Sequence, residues 1–151
     1  MILKLIITGI FLTTTYFMQG IFDPWWALVL GLVLSFALFL LDEQYLSAFY
    51  NKSGKRNKRK SLITRSFLFI ICLIPVTVFA LTATDNVIGH GLTMGLNIQL
   101  LAELLAYRRK KAQFNKRFFW QFKIELSRKS INLFVLAALI LFVFLTLIAI
   151  S

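Results

Sequence analysis

The chain has 151 residues, of which 59% are hydrophobic, and its formal net charge at pH 7 is +11. A soluble domain contains roughly 45–50% apolar residues, and a soluble core of this size could not bury the apolar surface that a bilayer accepts. The composition therefore excludes an ordinary soluble domain and predicts one all-α integral-membrane domain over residues 1–151, with five transmembrane helices. The one cysteine, Cys72, excludes an intramolecular disulfide.

The first two predicted spans form a hairpin. Residues 5–20 are apolar and end without the small-residue cleavage pattern of a signal peptide, so we expect them to stay in the membrane as a helix. The second span covers residues 24–41 and begins with Asp23 and Pro24, which are typical of a helix N-terminus. Two tryptophans follow directly, where an aromatic belt at the outer headgroups would place them. The bend between these spans is therefore predicted to lie outside.

A polar loop at residues 51–61 separates this hairpin from the next two spans, which cover residues 66–83 and 87–107. Pro75 lies near the middle of the third span and cannot donate a hydrogen bond to the Ile71 carbonyl. We therefore expect a kink in that helix. The short polar bend between the third and fourth spans is predicted to lie outside.

The segment 108–129 combines basic and aromatic residues and leads to the last span, residues 131–150. At about 100° per residue, four apolar side chains of this segment fall on one side of a helix. They are Phe114, Phe118, Phe122 and Leu126. This pattern is typical of an amphipathic helix that lies in the interface on the inner side of the membrane.

The positions of the basic residues determine the predicted orientation. All 17 Lys and Arg residues fall on one side of the membrane if the N-terminus is inside and the C-terminus is outside. Basic residues near span ends stay on the cytoplasmic side, so we expect a multi-pass protein of a bacterial-type cytoplasmic membrane. Two inner loops carry the basic residues expected to face lipid or a partner: Lys55, Arg56, Lys58, Arg59, Lys60, Arg108, Arg109, Lys110 and Lys111.

Orientation alone accounts for these charges, but two further interpretations stay open. Each basic residue near a membrane surface is attracted to anionic headgroups by about 1 kcal/mol, and an acidic protein partner would use the same charges. Nucleic acid would need stacking partners, for which Phe118, Phe119 and Trp120 are candidates. Since an interfacial helix would use the same aromatic residues, we expect membrane lipids as partners and no nucleic acid.

The fourth span carries a stripe of small residues. Gly91, Gly95, Ala102 and Ala106 fall within about 60° of one another when successive residues are about 100° apart. Such a stripe lets another backbone approach closely, so we expect helix packing here, with a protein partner or a second copy of the chain. A hinge or a site of ligand approach is the alternative interpretation of the two glycines.

The same span carries four polar side chains on two faces. Gln99 and Glu103 border the small-residue stripe, whereas His90 and Asn97 lie on a different face. Neither face can be freely exposed to hydrocarbon, so the helix belongs inside a bundle or at a subunit contact. The structural interpretation gives these groups hydrogen bonds and pairs Glu103 with Tyr107 or a basic neighbour. The functional interpretation makes the four a polar path for a proton or cation, or makes His90 a metal ligand.

No catalytic set is recognisable, because the chain lacks a Ser/His/Asp combination, a Gly-rich phosphate loop, a cysteine pair and a zinc-protease motif. One histidine with scattered carboxylates also falls short of the three or more ligands of a metal site. We therefore expect no enzyme, cofactor or metal, and predict a small membrane scaffold or accessory subunit. The alternative is a small oligomeric transporter or channel component, and an integral-membrane enzyme ranks third.

Overall fold

The computed structural model describes residues 2–17, 25–46, 63–82, 86–119 and 125–150. Within these ranges the chain forms helices and no strand, which confirms the all-α class. The α-helices are α1 (Ile2–Phe17), α2 (Trp25–Leu41), α3 (Phe67–Thr82), α4 (Val87–Tyr107), α5 (Lys111–Phe118) and α6 (Arg128–Ile150). A π-helical turn, Asp42–Leu46, extends α2, and a 3-10 turn, Ile63–Arg65, precedes α3.

Polar residues cap the N-termini of α3, α4 and α6. The side chains of Ser66, Asn86 and Ser127 each accept a hydrogen bond from the backbone N–H three residues later, at 3.2, 2.9 and 3.2 Å. These bonds satisfy backbone donors that the first turn of a helix leaves open. The caps and the apolar runs that follow them explain why these helices begin where they do.

The third predicted span is one helix despite its proline. α3 runs from Phe67 to Thr82 and continues through Pro75, so the residue expected to kink the helix does not end it. The predicted helix start at Asp23 and Pro24 and the polar loop at residues 51–61 lie outside the described residues.

α4 lies at the centre of the helix arrangement. It contacts α1, α2, α3, α5 and α6, and most of its residues between Gly91 and Leu104 are buried. One core cluster joins all five long helices: Phe11, Leu28, Leu32, Leu81, Met94, Ile98 and Leu145. A second lies nearer the C-terminal end of α4: Ile70, Leu100, Leu104, Phe114, Phe118, Phe119, Ile131 and Val135. The burial agrees with the expectation that this helix belongs inside a bundle.

The segment before the last span contains a short amphipathic helix that packs against protein. α5 covers Lys111–Phe118 within the predicted segment 108–129, of which residues 120–124 lie outside the described ranges. Phe114 and Phe118 share one face, as predicted, but both are 0% exposed. Their ring centroids lie 4.9 Å apart, and Phe114 lies 6.3 Å from Phe134 of α6. Protein therefore covers Phe114 and Phe118, which do not face lipid as predicted, whereas Phe122 lies outside the described residues. The position of α5 relative to a membrane stays a prediction.

Two described helices are long and apolar enough to cross a membrane, Trp25–Tyr45 and Arg128–Ile148. α3 is also apolar but is shorter than these two. Only 17% of the apolar window in the Arg128–Ile148 helix is buried, whereas the core helix of a soluble protein is mostly buried. These features indicate association with a membrane.

Candidate functional site

Four charged side chains meet at the C-terminal end of α4, and we call Glu43, Arg65, Glu103 and Arg117 the charge cluster. Glu103 lies on α4 and is 4% exposed. Its Oε2 atom lies 2.8 Å from Nε of Arg65 and 3.3 Å from Nε of Arg117. Nη2 of Arg65 also donates a hydrogen bond of 3.2 Å to Oε2 of Glu43. The cationic partners of Glu103 therefore come from other elements and not from its own helix.

Asp42 positions the segment that carries Arg65. It is 1% exposed and lies in the π-helical turn after α2. Its carboxylate accepts hydrogen bonds from the backbone nitrogens of Thr64 and Ile63, at 2.8 and 3.4 Å, and from the Thr64 hydroxyl. These bonds hold the turn before α3 against the end of α2. Arg65, the next residue, is thereby held beside α4.

Aromatic rings lie against both guanidinium groups of the charge cluster. Cζ of Arg65 lies 5.7 Å from the ring centroid of Phe39. Cζ of Arg117 lies 4.5 Å from the ring centroid of Tyr107, and its Nη1 donates a hydrogen bond of 3.0 Å to the Tyr107 hydroxyl. A ring face attracts a cation and excludes water from it. Each arginine is thus held by a ring and a carboxylate together.

The charge cluster is suited to holding helices together. Its two carboxylates balance its two guanidinium groups, which lowers the cost of removing the charges from water. Loss of Glu103 would leave the buried Arg65 without its nearest counter-charge, and breaking a buried pair in this way costs about 3–5 kcal/mol.

The two glycines of the predicted stripe face α2. A Cβ atom at Gly91 would overlap the carbonyl oxygen of Leu28 and lie 2.9 Å from its carbonyl carbon. A Cβ atom at Gly95 would overlap the hydroxyl oxygen of Ser35, and one at Gly31 of α2 would lie within 2.6 Å of the α4 backbone. Only hydrogen fits at this approach of the two backbones. The face expected to meet a partner or a second copy is thus covered by α2 of the same chain.

The two alanines of the stripe differ from each other. Ala102 is 1% exposed, whereas Ala106 lies on the surface of the described chain. Ala106 occupies the last turn of α4, beyond the part of the helix that the glycines bring against α2. The buried part of the stripe therefore ends before its last predicted member.

The polar side chains in the middle of α4 have partners on two neighbouring helices. Nε2 of Gln99 donates a hydrogen bond of 3.1 Å to the hydroxyl of Ser35 on α2. Nδ2 of Asn97 donates one of 2.8 Å to the hydroxyl of Thr77 on α3. Both hydroxyl-bearing residues are 0% exposed. The two polar faces predicted from the sequence therefore meet two different helices.

The four side chains considered as a polar path have different surroundings within the described part of the chain. Gln99 faces α2, Asn97 faces α3 and Glu103 is enclosed in the charge cluster. His90 is partly buried in the first turn of α4. A cavity of about 20 Å³ borders Asn97, and its other walls are apolar: Ile70, Ile74, Leu100, Leu101, Leu104, Ala138, Leu141 and Phe142.

The basic residues that follow α4 lie on the surface. Arg108, Arg109, Lys110 and Lys111 are all exposed. The remaining residues of the predicted basic surface and two of the predicted aromatic residues lie outside the described ranges: Lys55, Arg56, Lys58, Arg59, Lys60, Trp120 and Phe122.

Sequence reasoning missed Arg65 and Arg117 as members of the site. Both belong to segments whose basic residues were treated alike, as markers of orientation. One signal could have distinguished a partner of Glu103 from the other basic residues. A carboxylate predicted to lie inside a membrane needs a cationic or hydrogen-bonding partner, so a basic residue next to an apolar run is a candidate. Arg65 is the basic residue immediately before the third apolar run, which makes it the candidate partner nearest to the start of that helix.

The described residues contain no group of three or more His, Cys, Asp or Glu side chains that could hold a metal ion. No protein-family model matches the chain, and no curated protein or solved structure is significantly similar to it.

Proposed function

We propose that this chain is a non-enzymatic membrane scaffold or accessory subunit. In this proposal it crosses a bacterial-type cytoplasmic membrane five times, with its N-terminus inside and its C-terminus outside. The spans are α1, α2, α3, α4 and α6, and the charge cluster lies at the inner end of α4. The basic residues after α4 then face the cytoplasm, where anionic headgroups or an acidic protein surface can bind them.

The exposed apolar surface supports insertion into a membrane. α2, α3 and α6 carry large hydrophobic side chains on their outer faces, among them Val33, Phe79 and Leu133 at 61%, 75% and 70% exposure. Contiguous apolar surface of this kind is rare on soluble monomers. A bilayer would cover it with hydrocarbon.

The length of α3 is compatible with a crossing. A helix of 16 residues is roughly 24 Å long, against a hydrocarbon core of roughly 30 Å. Local thinning of the bilayer and flanking polar residues accommodate a mismatch of this size at a modest cost. The neighbouring helices also shield α3 on one side, where Ile70, Leu73, Thr77 and Leu81 are buried.

The observation that carries the scaffold proposal is the pairing of the polar groups of α4 within the chain. Gln99, Asn97 and Glu103 each contact a side chain of another element. A catalytic or transport site would keep such groups available to a substrate. Here they join helices to one another, which favours a structural role for α4 and leaves the outer surface for interactions.

The proposal is tested by co-purification from native membranes in a mild detergent after chemical cross-linking. We expect the wild-type chain to retain a protein partner in stoichiometric amount. Lys110→Glu combined with Lys111→Glu should release this partner, because the reversed charges repel an acidic surface. Lys110→Arg combined with Lys111→Arg preserves the charge at the same exposed positions and should retain the partner.

Two results would count against the proposal. One is a wild-type chain that purifies without any protein partner. The other is a partner that stays bound equally to both double variants. Circular dichroism checks that both variants keep the helical content of the wild type, as expected for changes at exposed positions.

A further inference from the structure

Three arginines and one asparagine border a single cavity beside the C-terminal end of α4. The cavity has a volume of about 300 Å³ and is lined by Arg108, Arg109, Arg128 and Asn132. Arg108 and Arg109 follow α4, whereas Arg128 and Asn132 lie in the first two turns of α6. Guanidinium groups only donate hydrogen bonds, so this lining is rich in donors and in positive charge.

The positive charge at this cavity has no counter-charge among the described residues. The ion pairs of the described chain join Glu43 and Glu103 to Arg65 and Arg117, and none reaches the cavity. Arg128 also occupies the first turn of α6, where the helix dipole disfavours a cation. Like charges around one cavity repel each other, and an anion between them would relieve this repulsion.

Asn132 adds a polar group to a helix that is otherwise apolar beyond its first turn, apart from one threonine. Its side chain is exposed and makes no hydrogen bond with the described part of the chain. It follows Arg128 by four residues, so both side chains lie on the same face of α6. That face is the one that borders the cavity.

We propose that this cavity binds the phosphate group of an anionic phospholipid headgroup. Guanidinium groups bind phosphate oxygens in a bidentate manner, and the Asn132 amide can donate a further hydrogen bond. A volume of about 300 Å³ is at the lower end of small-molecule sites, which suits a headgroup. Basic pockets between helices on the cytoplasmic side of a membrane bind such headgroups. The inference rests on the membrane orientation of the proposed function.

Native mass spectrometry of the folded chain from neutral detergent micelles tests this site, because it counts individual bound lipids. The probes are phosphatidylglycerol, phosphatidylcholine and inorganic phosphate. We expect the wild type to retain one phosphatidylglycerol in preference to phosphatidylcholine, and to bind inorganic phosphate more weakly than phosphatidylglycerol.

A matched pair of triple variants locates the site. Arg108→Gln, Arg109→Gln and Arg128→Gln together should weaken phosphatidylglycerol binding by roughly tenfold or more. The control removes the same charge from exposed neighbours that do not line the cavity, by the changes Lys110→Gln, Lys111→Gln and Lys129→Gln. The control should weaken phosphatidylglycerol binding less than the cavity variant does, because it removes only the general attraction of the basic surface for anionic lipid.

Equal weakening in the two triple variants would overturn the proposal, as would equal retention of phosphatidylglycerol and phosphatidylcholine by the wild type. Inorganic phosphate that binds as tightly as phosphatidylglycerol would overturn the assignment to a lipid. The lipid count is made on the isolated chain, whereas the proposed function is tested by a protein partner from native membranes. A failure of the lipid-site proposal can therefore be told apart from a failure of the proposed scaffold function.

Discussion

At the scale of single residues, the burial of Glu103 depends on its arginines. The side chains of Glu103 and Arg65 are each 5% exposed, so water solvates neither charge fully. A charged side chain that is removed from water without a counter-charge is costly. The ion pairs of the charge cluster lower this cost and, in doing so, fix α4 to the turn before α3 and to α5.

Glu103→Gln should lower the free energy of unfolding by about 3–5 kcal/mol, because Arg65 keeps a buried charge that has lost its nearest counter-charge. Unfolding in mixed micelles with an anionic detergent, followed by circular dichroism, measures this change. Glu125→Gln is the matched control, since Glu125 is exposed. We expect the control to change the free energy by no more than about 0.5 kcal/mol.

A double variant that removes both charges of the Arg65–Glu103 pair distinguishes the effect of an unpaired charge from the effect of burial. Arg65→Met combined with Glu103→Leu should recover most of the stability that Glu103→Gln loses, because no unpaired charge of the pair is left buried. A Glu103→Gln chain as stable as the wild type would show that the charge cluster does not hold the helices together.

The sequence identifies Glu103 as a group that needs a partner but does not identify the partner. Spacing along one helix reveals only neighbours three or four residues away, such as Tyr107. Arg65 reaches Glu103 because Asp42 binds the turn before α3, which is a contact between separate segments. Contacts of this kind leave no periodic signal in a single sequence.

At the scale of helices, small residues decide how closely α2 and α4 approach. Gly91→Ala should lower the free energy of unfolding by about 1–3 kcal/mol, because the added methyl group meets the backbone of Leu28, which cannot rotate away. Gly9→Ala is the matched control on α1, where nothing lies within 4 Å of an added Cβ atom. The control should be neutral or should stabilise the helix by up to about 1 kcal/mol. Thermal unfolding in detergent compares the two.

Cysteine cross-linking shows whether this packing lies within one chain. In a Cys72→Ser background, Ser35→Cys and Gln99→Cys place two thiols on the facing sides of α2 and α4, since the two native side chains are hydrogen-bonded to each other. We expect a disulfide within the monomer after oxidation. A cross-linked dimer, or equal destabilisation by the two glycine substitutions, would contradict packing of the stripe against α2.

Helix positions are readable from this sequence, whereas helix pairing is not. The apolar run predicted at 87–107 coincides with α4, because caps and apolar residues act locally. The small-residue stripe on α4 predicts that another helix packs closely against it but does not identify that helix. The complementary signal is the four-residue spacing of Ala27, Gly31 and Ser35 on α2. The burial of Phe114 and Phe118 was not predicted, because an amphipathic pattern is the same whether lipid or protein covers its apolar face.

At the scale of the whole molecule, the charge distribution and the helix packing agree on one proposed arrangement. α4 begins at the cap formed by Asn86 and ends at the basic residues after Tyr107. α2 covers its glycine face, and the charge cluster holds its C-terminal end. α4 is too polar to be stable alone in lipid, so in the proposed arrangement it would depend on the helices around it. The central claim is that α4 spans the bilayer with its basic end in the cytoplasm.

Labelling of single cysteines with a membrane-impermeant maleimide tests this claim most directly. The single cysteines are introduced in a Cys72→Ser background. Asn86→Cys lies before the N-terminus of α4 and Gln113→Cys lies after its C-terminus, both at exposed positions. Asn57→Cys marks the other basic segment. We predict that Asn86→Cys reacts in intact cells, and that Gln113→Cys and Asn57→Cys react only after the membrane is opened. If Asn86→Cys and Gln113→Cys react from the same side of the membrane, α4 does not cross it. If Asn57→Cys and Gln113→Cys react from opposite sides, the proposed orientation is contradicted.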